Sequence, residues 1–491
     1  MEPLTLNHLT EIVTNKSSFS IPKSNIKQRK IQAGLILLAS DLIMLSFSVI
    51  FSLLLRELFW PGEVSIAVYV PLLPLLFVLF PVTYFIRGLY PGFGMDVIEE
   101  LRTLSYTTTG VYAVLATLTF LVKIDWDYSR LAFVLSWVIS LLTLPLGRAY
   151  VKNKYGNKEW WGIPVIIIGA GKAGENVIKS LLKHYQIGLK PLVAVDDDAN
   201  RWGYINNIPV IGGLDIIPDL AEKLKVGNAI IAMPSVSRKR QHEIIKNYSK
   251  YFQNTTFIPD ISGLNSLWVN SRDLGGILGL EVQQKLIKRS SRIQKRIFDI
   301  TIAGLLMAFL MPVVAILSIL VFIDSKGRVF FYQERMGIND SRFNIIKFRT
   351  MFEDAEDRLS DLLTSNKDFR SEYEKYHKLK KDPRLTRIGK ILRKFSLDEL
   401  PQFINVIKGE MSLIGPRAYI PWEKVKMNGY EEMILKVKPG ISGLWQVTDR
   451  NESSFEERNE TDVYYIRNWS MFLDIYIVAR TIGVILLGKG A

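Results

Sequence analysis

Residues 297–323 read IFDITIAGLLMAFLMPVVAILSILVFI, an apolar run long enough to cross a bilayer, which takes about 20 residues as a helix. Whether it crosses decides on which side of the membrane the last third of the chain works. Two features speak against a straight crossing. Lys285, Lys288, Arg289, Arg292, Lys295 and Arg296 precede the run and Lys326, Arg328 and Arg335 follow it, so the cation excess that marks cytoplasmic flanks stands at both ends. Pro312, near the middle, removes a helix hydrogen bond and favours a kink. A re-entrant helix over 297–323, kinked at Pro312, satisfies both. It would return the chain to the side it came from and lay the flanking cations against anionic headgroups, each contributing about 1 kcal/mol. The rival is a fifth ordinary span that strands the C-terminal third outside.

Upstream, four apolar stretches near 31–55, 66–86, 104–124 and 130–150 each approach the length of a spanning helix. They predict a four-helix transmembrane domain over 31–155 behind a cytoplasmic N-terminal segment, 1–30. The first stretch starts too far in, and runs on too long, for a cleaved signal peptide. Lys23, Lys27, Arg29 and Lys30 precede the first stretch and Arg148, Lys152, Lys154 and Lys158 follow the last, which puts both ends of the anchor in the cytoplasm. Asp41 is a lone acid inside the first span, close enough to its basic end for water or a cation to satisfy it. The anchor is also a candidate subunit interface, so a homodimer is one expectation.

Residues 160–283 alternate strand and helix. In IPVIIIGAGKAGENVIKSLL, Gly169, Gly171 and Gly174 form G-x-G-x-x-G between an apolar β run and a helical pattern, the context in which backbone amides cradle a phosphate. PLVAVDDD and GNAIIAMPS supply two further strands, and Asp196, Asp197 and Asp198 end the first of them, near the spacing of an acid that binds a ribose hydroxyl. The pattern predicts a small Rossmann-like parallel α/β domain. Such folds also use glycines only to pack helix on strand, so a nucleotide loop and a packing loop both stand. A membrane-tethered NAD-dependent epimerase or dehydratase would add a Tyr-x-x-x-Lys pair; Tyr376 with Lys380 is the one downstream match, in a charged segment outside the α/β unit.

Composition narrows the chemistry. The chain has 491 residues, no cysteine and four histidines, His8, His184, His242 and His377, too dispersed for a ligand motif, which excludes disulfides and thiolate chemistry and argues against zinc. Hydrophobic residues make up 48% while Lys and Arg outnumber Asp and Glu by 62 to 48, a balance that suits membranes and anionic partners. Catalysis must therefore lean on carboxylates and cations. The last third supplies both, in FNIIKFRTM, IGKILRKFSLDELPQ, GEMSLIGPR, KPGISGLWQVTDRN and DVYYIRNWS. Lys347, Arg349, Arg393, Arg417 and Arg450 suit a pyrophosphate, because guanidinium forks match phosphate oxygens bidentately. Asp398 and Glu399 stand side by side behind a basic helix. The final run, MFLDIYIVARTIGVILL, is interrupted by Asp474 and Arg480 and fits an interfacial helix.

The order of KFRTM, SLDELPQ, NVIKGEMSLIGPR, KPGISGLWQV and LDIYI, over about 290–488, resembles the polyprenyl-phosphate sugar-1-phosphate transferases, the monotopic phosphoglycosyl transferases of bacterial glycan assembly. With the anchor and the α/β domain, the chain resembles their large multidomain branch, typified by undecaprenyl-phosphate galactose phosphotransferases. The resemblance implies a catalytic domain over 285–491 in an α plus α/β membrane protein of the bacterial inner membrane, with both termini and the active site cytoplasmic. It implies transfer of hexose-1-phosphate, galactose-1-phosphate from UDP-galactose first, to undecaprenyl phosphate with release of UMP, at the start of O-antigen, capsule or exopolysaccharide assembly. UDP-glucose or an N-acetylhexosamine is the alternative donor, and a non-catalytic assembly scaffold is the alternative of another class. Asp398 is implied as the nucleophile that forms a phosphosugar-aspartyl ester, Glu399 as its partner, and Mg²⁺ as the cofactor, with Asp398, Glu399 and Asp474 as candidate ligands. The expected partners are the UDP-sugar, undecaprenyl phosphate and inner-membrane lipids, and no nucleic acid. One departure is that Met311 precedes Pro312 where this family often has Ser.

Overall fold

A computed structural model of the chain describes residues 26–60, 72–121, 129–259, 269–273, 278–282, 285–365, 370, 382–448 and 454–486. The chain divides into two compact units, Met1–Ser262 and Gly263–Ala491. The first begins with helices α1 (Ile26–Phe59), α2 (Leu72–Ile86), α3 (Val97–Leu121) and α4 (Arg130–Tyr155), where the four apolar stretches stand. Of these, α1 and α4 are long and apolar enough to cross a membrane. They lie against each other at Gly147, where a Cβ would come within 2.6 Å of the Met44 side chain. Asp41 finds a cation there. Arg148 donates to it from Nε at 2.9 Å and from Nη2 at 2.6 Å, and the Tyr90 hydroxyl adds a third bond at 2.7 Å. Arg148 also donates to Glu100 at 3.1 Å, and Lys152 closes the network on Glu100 at 2.7 Å. Each of these charges is buried, and each is paired, which is what a low-dielectric interior demands.

The chain then forms a six-stranded sheet in the order β3-β4-β2-β1-β5-β6: β1 Ile163–Ile168, β2 Leu189–Val195, β3 Gly203–Ile205, β4 Ile208–Val210, β5 Asn228–Ile231 and β6 Asn254–Phe257. The strands are parallel except for the β3-β4 pair. Every residue of β1 is buried, which explains its unbroken IPVIII. The glycine loop follows β1 at the reversal of strand order and leads into α5 (Lys172–Lys183).

In the second unit, β7 (Val269–Asp273) and β8 (Leu278–Val282) pair antiparallel ahead of a 36-residue helix, α6 (Arg289–Asp324). This helix is the third that is long and apolar enough to cross a membrane, and its helical run is unbroken through Pro312. Next come an antiparallel pair, β9 (Phe330–Met336) and β10 (Arg342–Phe348), then α7 (Arg387–Lys394), a 3₁₀ turn at Leu397–Glu399 and α8 (Gln402–Lys408). Short parallel strands β11 (Ser412–Ile414) and β12 (Gly440–Ser442) follow, with α9 (Phe455–Asn468) and α10 (Met471–Leu486) at the end.

Both ends of α6 seat on this same unit. Near its start, Arg296 donates to the carbonyls of Val406 and Ile407 at 2.6 and 3.0 Å, covering the C-terminal carbonyls of α8, while Asp299 accepts from Ser412 Oγ at 2.7 Å and the Leu413 amide at 3.2 Å. At its end, Val321 packs with Phe348 and Leu392, and Asp324 accepts the Ile388 amide at 2.8 Å in the first turn of α7. Between these contacts Leu305, Phe309, Met311, Ile316 and Ile319 are exposed.

Candidate active site

The acid pair is fixed by the elements around it. Thr386 caps α7, its hydroxyl accepting the Gly389 amide at 2.9 Å. Gly389 has to be glycine, because a Cβ would come within 2.0 Å of the Thr350 carbonyl oxygen as α7 crosses the end of β10. That approach lets Arg393 Nε donate to Thr350 Oγ1 at 3.1 Å. The chain then turns at Ser396, a non-glycine residue in the left-handed region with φ 53°, and presents Asp398 and Glu399 on the 3₁₀ turn. Leu397 and Leu400, on either side, pack on the layer of Val321, Phe348 and Leu392. Asn405 ties α8 to β10, accepting the Ile346 amide at 3.1 Å and donating to the Asn344 carbonyl at 2.8 Å.

The two acids are not equivalent. Glu399 Oε1 accepts from Lys347 Nζ at 2.7 Å. Burial pushes the Asp398 carboxyl above the usual range; Lys347 opposes this, Glu399 adds to it as a like charge, and Arg393 opposes it. Arg393 is itself pushed below its ordinary value by burial, with Asp398 pulling the other way. The structure thus brings together Asp398, Glu399, Lys347 and Arg393.

Other expected residues have contacts of their own. Arg349 donates from Nη2 to the carbonyls of Ser325 and Lys326, holding the turn after α6, while its buried Nε and Nη1 have no partner. Arg417 follows the GPR turn, which is pinned because Gly440 donates to the Pro416 carbonyl at 2.8 Å, and its guanidinium lies 3.7 Å from Glu423 and 5.6 Å from the Trp445 ring centroid. Asp474, expected as a third metal ligand, does not join the pair. It is fully buried and takes Lys295 Nζ at 2.7 Å, Tyr465 OH at 2.7 Å and Trp469 Nε1 at 3.0 Å, so cations and donors of the fold fill its coordination. Arg450 lies outside the described residues, as do Tyr376 and Lys380. Among the described residues no three His, Asp or Glu side chains converge. Two adjacent carboxylates remain, and they fit Mg²⁺, which keeps several waters and binds through one or two carboxylates and the substrate's phosphates.

Sequence reasoning missed Arg335, Arg458, Trp445 and Asp462. Arg458 lies 5.2 Å from the Trp445 ring centroid, on which Arg417 also stacks. Asp462 is fully buried, accepts the Arg417 amide at 3.0 Å and the Tyr419 hydroxyl at 2.9 Å, and is pushed by burial up to about 7. Trp445 and Asp462 lie in the quoted KPGISGLWQVTDRN and DVYYIRNWS, and Arg335 among the cations that follow the apolar run, but no role at the site attaches to them in the sequence.

In the first unit the glycine loop is filled by its own chain. Asp196 Oδ2 accepts the Ala170 amide at 2.7 Å and Arg201 Nη1 at 3.1 Å. Cβ atoms would meet the Met233 side chain at 2.4 Å from Gly169, Arg201 Nη1 at 2.8 Å from Gly171, and the Gly169 carbonyl oxygen at 1.9 Å from Gly174.

The half-buried acid pair, with Lys347 and Arg393 beside it, sits on a turn packed near the end of a membrane-length helix, and the comparisons give the class, a sugar-phosphate transferase. The chain belongs to the bacterial sugar transferase family, whose conserved domain matches residues 290–488. A CoA-binding domain family matches 86–259, a span that includes α3, α4 and the sheet. The chain is 34% identical to the UDP-galactose-lipid carrier transferase of Erwinia amylovora, over 74% of this chain and 77% of that protein. It is also 34% identical to the undecaprenyl-phosphate galactose phosphotransferase of Salmonella typhimurium, over 74% and 77%. The UDP-glucose:undecaprenyl-phosphate glucose-1-phosphate transferase of Escherichia coli is 30% identical, over 73% and 76%.

Proposed function

We propose that the chain transfers galactose-1-phosphate from UDP-galactose to undecaprenyl phosphate by way of Asp398. The observation that carries the reading is the unequal acid pair: Glu399 is neutralised by Lys347 at 2.7 Å, while Asp398 stands beside Lys347 and Arg393 with a raised pKa. An Asp398 carboxylate oxygen attacks the phosphorus bonded to the sugar, and the bond from that phosphorus to the UMP oxygen breaks, UMP leaving with the electron pair. A phosphate oxygen of undecaprenyl phosphate then attacks the same phosphorus and the Asp398 carboxylate departs. Asp398 and Glu399 would hold the Mg²⁺, whose chemistry when bound is to neutralise the pyrophosphate's charge. Lys347, Arg393 and Arg417 orient the phosphates. Arg349 and Arg450 belong to the same proposed set.

The galactose reading rests on the names of two relatives, and the glucose transferase at 30% identity keeps glucose as the second donor. The epimerase and scaffold readings lack comparable support. A re-entrant α6 is supported by its two ends seating on one folded unit: a straight helix of 36 residues, roughly 54 Å long, would instead carry them to opposite sides of a hydrocarbon core of about 30 Å. The four-helix anchor, a homodimer and the inner membrane with cytoplasmic termini complete the proposal. The test is intact-mass measurement of the purified chain with UDP-galactose and no lipid acceptor. A hexose-phosphate adduct mapping to Asp398, absent in Asp398→Asn, is expected; full turnover by Asp398→Asn would sink the covalent route.

A further inference from the structure

The helices of the first unit leave a groove that the transfer chemistry does not use. It lies between the last turns of α2 and the middle of α3, has a volume of about 290 Å³, and is walled by Leu79, Ile86, Val111 and Val114. Gly110 keeps it open: a Cβ there would meet no atom within 4 Å. The two threonines of the lining spend their protons on their own helices, Thr83 donating to the Leu79 carbonyl at 2.8 Å and Thr107 to that of Thr103 at 2.7 Å. Among the described lining residues one is charged, Arg87, exposed just past the end of α2. The acids that open α3 are engaged elsewhere. Asp96 accepts the Ile98 amide at 3.2 Å, Glu99 lies 3.9 Å from Arg102, and Glu100 takes Arg148 and Lys152.

We propose that this groove seats an acyl chain of an anionic phospholipid, with the lipid's phosphate on Arg87. In the four-helix anchor proposed above, α2 runs toward the cytoplasmic face, so Arg87 stands at the headgroup level of the leaflet whose surface is negative. From Leu79 to Arg87 the chain rises about 12 Å along the helix, so a tail laid against Leu79 and Val111 points from Arg87 toward the bilayer centre, as a lipid of that leaflet does. The groove has the polarity of such a lipid. Its walls suit a tail with no hydrogen-bonding atom, and its one cation carries the fork that meets a phosphate bidentately. A polar metabolite would lose its water along those walls without gaining partners. The inference rests on the anchor and is independent of which sugar is transferred.

The experiment is native mass spectrometry of the full-length chain in detergent, titrated with phosphatidylglycerol and, separately, with phosphatidylcholine. The wild type should hold its first phosphatidylglycerol about fivefold more tightly than phosphatidylcholine, the difference that one cation at a lipid surface makes. Arg87→Gln should bind the two lipids alike. Gly110→Leu fills the groove from a position with open space around it and improves helix propensity, so it should fold as the wild type does and hold that lipid about tenfold more weakly. Gly110→Ala should fall between. Equal affinity for the two lipids in the wild type, or a first lipid held equally by wild type and Gly110→Leu, overturns the site. Displacement of phosphatidylglycerol by an equal amount of farnesyl phosphate also overturns it and gives the groove to the isoprenyl acceptor. A fall from dimer to monomer in Gly110→Leu with lipid affinity kept gives the groove to a second copy of the chain. Failure of the anchor has a separate signature. Val82→Cys, on the exposed side of α2 and then the one thiol in the chain, should carry a bimane that dibrominated phosphatidylcholine bilayers quench. An unquenched bimane puts α2 outside the bilayer, whatever the lipid dependence in detergent.

Discussion

Asp398, half-buried, and Asp462, fully buried, are both carboxyls with raised pKa values, but they have opposite consequences for pH dependence. Asp398 must be ionised to attack, so the acid limb of kcat/KM should lie above the ordinary aspartate value of about 4, activity falling as pH drops through it. Lys347 is the largest influence holding that pKa down. Lys347→Gln should therefore move the limb upward, apart from any loss of affinity; a limb that stays in place rules out Asp398 as the group titrating. Asp462 concerns stability instead. Its folded pKa of about 7 is above the unfolded value near 4, so the folded state holds the extra proton and stability falls as pH rises between the two, by up to about 4 kcal/mol. In thermal melts, Asp462→Asn should gain on the wild type from pH 5 to pH 8. A constant difference between the two would mean that Asp462 is ionised in the folded state across that range.

At the scale of elements, what could be read in the sequence was what is contiguous. SLDELPQ carries both acids within one turn, and IPVIIIGAGKAG carries strand, loop and helix in order, so both were visible as motifs. Asp474 was visible too, but its meaning was not, because its partner Lys295 lies 179 residues earlier on a different helix. Arg335 and Arg458 are two among 62 Lys and Arg, and β9 and α9 must be placed before they acquire a common neighbour. The α6–α10 tie yields a prediction that separates structure from metal binding. Asp474→Asn leaves the Lys295 ammonium buried beside a lost charge and should cost about 3–5 kcal/mol, seen as a lower melting temperature. Its Mg²⁺ midpoint for activity should match the wild type, whereas that of Glu399→Gln should rise. A shifted midpoint in Asp474→Asn would return it to the metal site.

For the whole molecule the decisive question is the path of α6, because it sets the side on which chemistry occurs. Its apolar length alone favours a crossing, and the cations on both flanks favour a return. The second unit adds a constraint that sequence could not supply: Arg296 grips the end of α8 while Asp324 caps the start of α7, and only the acid-pair turn separates those helices. On the proposed re-entrant path, two ends that seat on one folded unit share one side of the membrane. The absence of native cysteine makes this testable without background labelling. Lys288→Cys and Lys326→Cys, each as a single variant in sealed inverted vesicles, should react with an impermeant maleimide to the same extent, and neither should react in right-side-out vesicles until the membrane is opened. Labelling of the two positions from opposite sides would establish a crossing and remove the active site from the compartment of its nucleotide sugar. Pro312→Ala tests the bend separately: a path set by the two anchored ends keeps the same-side pattern, while a path that depends on the proline's missing hydrogen bond loses it.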